Sequence, residues 1–114
     1  MDNHQTFDNL NLEIRRGAIV LAVLSQLKQE QYGYSLLKNL TDQGFEIDQG
    51  TLYPLLRRLE AQGLLESVWR VESDRPRRYY RISPQGRHAL KELALEWRDL
   101  VAVLEGLLDE KKVP

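Results

Sequence analysis

Leu52, Leu55, Leu56 and Leu59 recur at the three- and four-residue spacing that puts all four on one face of a helix. The opposite face is centred on Gly50, Pro54, Arg57 and Ala61, with Tyr53 and Arg58 on the flanks. This helix ends at Gly63, and two starts are open. Asp48 as the N-cap places Pro54 inside the helix; Gly50 or Thr51 as the cap places Pro54 in the first turn, where its missing N–H matters less. A shorter helix precedes it, about Gly33 to Asp42, with Leu36, Leu37 and Leu40 inward and Gly44 as a C-cap. Phe45 and Ile47 in the link are expected to plug the core. Two short helices on a brief link, the second with a basic outer face, form a helix-turn-helix pattern. The chain opens with residues 1–9, expected as a flexible tail, followed by a helix from about Asn11 to Lys28. Ala18 to Leu24 has no polar face, so that helix needs cover on every side. Gln29-Glu30-Gln31 reads as a polar connector.

Beyond Gly63 the period changes. Residues 64–71 read as a strand, 72–76 as a turn and 77–82 as a second strand with Tyr80 and Ile82 on one face. A hairpin directly after a helix-turn-helix is a wing, and its tip carries Arg75, Arg77 and Arg78, with Asp74 as the nearby counter-charge. Ser83-Pro84 starts a last helix, Ser83 capping and Pro84 at the first helical position. That helix runs to about Leu108, and Leu90, Leu93, Trp97, Leu100, Leu104 and Leu107 form a heptad-like seam along it. The seam is too long for a small core to cover, which predicts dimerisation through these residues; packing on the first helix alone is the competing account. The fold class is therefore mainly α with a small β-hairpin, a winged helix-turn-helix over 10–83 followed by a C-terminal dimerisation helix over 84–114.

Composition narrows the function. The chain has 114 residues, 42% hydrophobic and 29% charged, enough for one soluble domain. Without cysteine it holds no disulfide and no thiolate metal site, and neither His4 nor His88 has a ligand partner in sequence, so no metal and no cofactor is expected. The longest apolar run, Ala18 to Leu24, is far below the ~20 residues of a membrane helix, and the polar N-terminus does not resemble a signal peptide; a cytoplasmic location is expected. No paired carboxylates, His–nucleophile pair or phosphate loop marks an enzyme. The net charge of −1 conceals an asymmetry: residues 50–88 hold eight arginines against four acids, and the remainder carries a net −5. The basic block coincides with the second helix of the pair and the wing.

The motifs Tyr32-Gly33-Tyr34, Gly50-Thr51-Leu52-Tyr53-Pro54-Leu55-Leu56-Arg57-Arg58-Leu59-Glu60-Ala61-Gln62-Gly63-Leu64-Leu65 and Arg75-Pro76-Arg77-Arg78-Tyr79-Tyr80-Arg81-Ile82-Ser83-Pro84-Gln85-Gly86 resemble the PadR family of bacterial transcriptional regulators, over about residues 12–108. The length resembles the short subfamily that includes multidrug-responsive repressors. The resemblance implies a homodimeric repressor on a palindromic double-stranded DNA operator. It also implies a flat pocket for planar aromatic effectors against a tryptophan of the last helix, at the place of Trp97.

In this reading Arg57 and Tyr53 are the candidates for base contacts, with Gln49 and Thr51 near the helix start and Gly50 and Pro54 as clearance. Arg58, Tyr34, Ser35 and Lys38 are candidates for phosphate, and the wing arginines for the backbone or minor groove. An effector on Trp97 would also meet Ala18, Ala22, Leu93 and Val101, although Trp97 as a plain dimer-core ring accounts for it equally. The sequence departs from the family at Asp74, where glycine is common, and at Val101, where no acid favours a cationic drug. A winged helix that docks an acidic protein partner without reading DNA is the alternative.

Overall fold

The computed structural model describes residues 3–112. Its elements are α1 (Asn3–Gln26), β1 (Gln31–Tyr32), α2 (Gly33–Asp42), α3 (Gln49–Ala61), β2 (Leu65–Glu72), β3 (Arg75–Ile82) and α4 (Pro84–Leu108), then a 3-10 turn over Glu110–Lys112. The strands form one antiparallel sheet in the order β1-β3-β2.

The leucine spacing buries the side it predicts. Leu52, Leu55, Leu56 and Leu59 of α3 meet Leu36 and Leu40 of α2, Val23 and Leu24 of α1, Leu27, and Leu65, Tyr80 and Ile82 of the sheet in one core. Phe45 and Ile47 pack against it, half-buried. Each of the two short helices ends in the same way. Past α2, Gly44 N–H donates to Thr41 O and Phe45 N–H to Leu40 O; past α3, Gly63 N–H donates to Glu60 O and Leu64 N–H to Leu59 O. These are Schellman caps, and their left-handed residues are the glycines, at φ of 92° and 81°. The start of α3 is settled by Asp48, whose carboxylate accepts from Thr51 N–H at 2.7 Å. Pro54 therefore stands inside the helix, and the residue one turn before it, Gly50, is exposed with little around it.

Three expectations change. Of residues 1–9, read as a tail, 3–9 form the first turns of α1, since no glycine or proline interrupts the chain before Gly17, and 1–2 lie outside the described residues. The polar connector contains a strand, because Gln31 and Tyr32 pair with Tyr80 and Tyr79 on the free edge of β3. The wing turn shrinks to Ser73-Asp74, both with positive φ (50° and 64°), and Glu72 and Arg75 close the ladder. Two left-handed central residues define the type I′ geometry of a tight hairpin, normally filled by asparagine and glycine.

The α4 N-terminus is locked to the core at one point. Ser83 accepts from Gly86 N–H at 2.9 Å, its hydroxyl donates to Gly63 O at 2.6 Å, and its N–H donates to Leu64 O at 3.0 Å. A Cβ on Gly86 would lie 2.1 Å from Leu64 O. From there α4 packs on α1 and runs beyond the core. The radius of gyration, 17.1 Å, exceeds the ~13 Å of a compact chain of this length because of that extension. Of the seam, Leu90 is half-buried against the core, whereas Leu93, Trp97, Leu100, Leu104 and Leu107 are exposed. On α1, Phe7, Leu10 and Ile14 are exposed too.

Two stability changes are expected in urea denaturation. Gly86→Ala would press on the Leu64 backbone carbonyl and should lose about 2–3 kcal/mol. Asp74→Gly removes side-chain strain at a left-handed position and should gain about 0.5–1 kcal/mol.

Candidate nucleic-acid interface

The outward face of α3 is built by the burial of its leucines. With those inward, Gln49, Gly50, Thr51, Pro54, Arg57 and Arg58 are all exposed. The Asp48 cap puts Gln49, Gly50 and Thr51 in the first turn, where free N–H groups and the positive end of the helix dipole favour an anion. Among the described residues Arg57 and Arg58 form no ion pair, so their charge faces solvent. Tyr53 is different. It is half-buried, with its ring against Gly33 at the start of α2; a Cβ there would lie 2.7 Å from Tyr53 Cε1. On α2, Tyr34 and Lys38 are exposed, whereas the Ser35 hydroxyl is half-buried and donates to Gln31 Oε1 at 3.4 Å.

The three wing arginines, equivalent in sequence, have three different settings. Arg75 is exposed and has no ion pair among the described residues. Arg77 lies over the Tyr32 ring at 4.6 Å and 3.8 Å from Glu72. Arg78 does not reach the tip: its guanidinium pairs with Glu60 of α3 at 2.5 Å and donates through Nε to Ser67 Oγ at 3.0 Å, and Ser67 in turn donates to Glu60. The rings of Tyr80 and Trp69 flank it at 5.4 and 5.8 Å. The counter-charges of the wing are thus Glu72 and Glu60, more than the single Asp74 that sequence proximity singled out. Alternation explains the split, since Arg78 and Tyr80 share the sheet face turned to α3 while Arg77 and Tyr79 share the other.

A second network braces the base of the wing. Arg70 makes a two-bond pair with Glu30 at 2.8 and 2.9 Å, which raises the Arg70 pKa further, and Arg81 pairs with Glu66 at 3.1 Å. Tyr79 is raised by its hydrogen bond to Glu72, and burial raises Tyr80. Both phenols therefore stay protonated at neutral pH and add no negative charge to the basic face.

Two contributors escaped the sequence reading. Tyr32 and Trp69 line a cleft of about 290 Å³ with Gly33, Tyr34, Tyr53, Leu56, Arg57 and Tyr80, between α3 and the wing. The signal for Trp69 was its register opposite Arg78, which required the turn length to be known. For the effector candidates, Ala18 and Ala22 are half-buried on α1, and Leu93, Trp97 and Val101 are exposed on α4, Trp97 to 40%.

A helix pair, a basic second helix and an arginine-bearing three-stranded wing define a winged helix-turn-helix protein. Residues 20–92 match the Transcriptional regulator PadR-like family. The chain is 46% identical over 81 residues to the transcriptional regulator Rv3488 of Mycobacterium tuberculosis, covering 70% of this chain and 76% of that one. The crystal structure of a PadR family transcriptional regulator from Eggerthella lenta superposes with a TM-score of 0.87 at 44% identity, over 94% of this chain and 96% of that one. A PadR-like regulator from Bacillus cereus gives 0.74 at 29% identity, over 85% and 97%. The chain belongs to the PadR-like family of transcriptional regulators, DNA-binding proteins rather than enzymes. No helix among the described residues is long and apolar enough to cross a membrane.

The different settings of the wing arginines have a measurable consequence. Arg78→Ala should cost about 1–2 kcal/mol of folding stability, because it strips a half-buried carboxylate of its partner, while Arg75→Ala should change stability by less than about 0.5 kcal/mol. Chemical denaturation of the two variants beside the parent checks the contrast.

Proposed function

We propose that the chain is a homodimeric repressor that reads a palindromic operator with α3 and is released by a planar aromatic effector. The observation that carries the DNA reading is the outer face of α3. It presents Gln49, Thr51 and the uncompensated Arg57 around the small residues Gly50 and Pro54, which permit close approach to a groove. Arg58, Tyr34 and Lys38 flank that face as phosphate contacts, and Arg75 and Arg77 reach the backbone or minor groove. Tyr53 and Arg78 support the surface from behind: one is packed on Gly33, the other paired to Glu60.

The dimer reading rests on α4. Leu93, Trp97, Leu100, Leu104 and Leu107 continue the line of Leu90 out of the core, and a monomer would leave this stripe in water. Residues 84–112 then serve as the pairing element and 10–83 as the reading module, with α1 contributing to both. A second copy across the seam would set two α3 helices about one duplex turn apart. Trp97 of each copy, with Ala18, Ala22, Leu93 and Val101, would wall the effector pocket, and the effector acts by favouring one spacing of the reading heads.

Fluorescence anisotropy with a fragment from upstream of the chain's own gene tests the interface. Arg57→Ala should weaken the operator complex about tenfold or more and narrow the gap to unrelated DNA; Arg75→Ala should weaken all sequences alike and lower the salt slope by about one. If both variants titrate like the parent, the interface is misplaced. Leu104→Glu should convert a sedimenting dimer to monomer, and an unchanged sedimentation coefficient would reject the seam. Quenching of Trp97 fluorescence in a Trp69→Phe background by planar aromatics tests the effector pocket.

A further inference from the structure

The cleft between α3 and the wing is remote from the α4 seam and has a chemistry of its own. Tyr53 lines it with its ring packed against Gly33, where a Cβ would lie 2.7 Å from Cε1. Tyr34 and Trp69, exposed to 54% and 62%, present large ring faces at its rim. Arg57, Arg77 and Arg78 line the same space. Arg77 and Arg78 each have one carboxylate, Glu72 at 3.8 Å and Glu60 at 2.5 Å, and Arg57 has none among the described residues. The cleft therefore combines several aromatic faces with one uncompensated positive charge. At about 290 Å³ it is at the lower end of small-molecule pockets, large enough for one or two fused rings.

We propose that this cleft is a small-molecule site for a planar aromatic anion, with the rings held against Trp69, Tyr34 and Tyr53 and the anionic group on Arg57 and Arg77. Flat hydrocarbon rings gain by covering exposed aromatic faces, and a guanidinium fork binds a carboxylate or phosphate through paired N–H groups. A neutral or cationic analogue of the same shape loses that bond and leaves Arg57 uncompensated. Occupancy blocks DNA directly, without any change in the spacing of two reading heads. That last consequence, though not the ligand site itself, rests on the DNA reading proposed above.

The test follows the two tryptophan indole N–H signals in ¹⁵N-labelled full-length protein, assigned by Trp97→Phe. The probes are 2-naphthoate and 2-naphthyl phosphate, with 2-naphthalenemethanol as the neutral analogue. Saturable movement of the Trp69 signal by either anion below about 1 mM, with about tenfold weaker binding of the alcohol, supports the site, and the tighter anion identifies the headgroup. Arg57→Ala should weaken the anion about tenfold while leaving the fold intact, because Arg57 is exposed and forms no ion pair among the described residues. Gly33→Ala, which adds a methyl to the lining and displaces the Tyr53 ring, should weaken anion and alcohol alike. Movement of Trp97 alone, no saturable movement of either signal, or equal binding of anion and alcohol would overturn the proposal. Failure of the DNA reading looks different: the anions still move Trp69, but no DNA fragment is bound.

Discussion

The architecture depends on the close approach of Gly86 to the Leu64 carbonyl. At that point the end of α3, the start of β2, the end of β3 and the start of α4 meet within a few residues. Ser83 serves all of them, capping α4, donating to Gly63 O and bonding to Leu64 O. No carbon fits between α4 and the α3–β2 turn, so the direction of the longest helix is fixed relative to α3. The leucines of α3 provide the apolar half of this arrangement and the cap provides its polar half. The cap satisfies the Gly63 and Leu64 carbonyls just past the end of α3.

Electrostatics divides the basic block into parts with different roles. Arg70, Arg78 and Arg81 hold the sheet together and to α3 through Glu30, Glu60 and Glu66. Arg57, Arg58 and Arg75 form no ion pair among the described residues and carry charge to solvent. The Arg78–Glu60–Ser67 contact joins the wing to α3, so the two behave as one surface. Exposed ion pairs contribute little to stability, but a half-buried guanidinium between two rings also contributes packing and orientation.

Most of the helical frame was legible in the sequence, because periodicity and caps act locally. The bounds of α2 and α4, the α3 leucine face and the Ser83 cap all follow from residues within one turn of one another. The N-terminal turns of α1 were missed because exposed, weakly patterned residues give no amphipathic signal. Strand β1 was missed because two residues have no period; only the free edge of β3 makes them a strand. The candidate site was legible by composition and not by pairing. Three adjacent arginines look alike until the turn length sets which of them faces α3, and Ser73-Asp74 is an atypical filling of a two-residue turn. The partners Glu60 and Glu30 are 18 and 40 residues away from the arginines they meet, beyond the reach of any local rule.

The fixed joint at Ser83 and Gly86 makes α4 a stiff lever. It spans about 37 Å at 1.5 Å per residue, so a tilt of about 5° at the joint moves its far end by about 3 Å. Read in the other direction, a given displacement near Leu104 and Leu107 corresponds to only a small rotation at the core. Large travel at the distal end and small rotation at the core end are thus two aspects of one length. Shortening the helix by a turn would sacrifice both, even with every residue of the winged domain left in place.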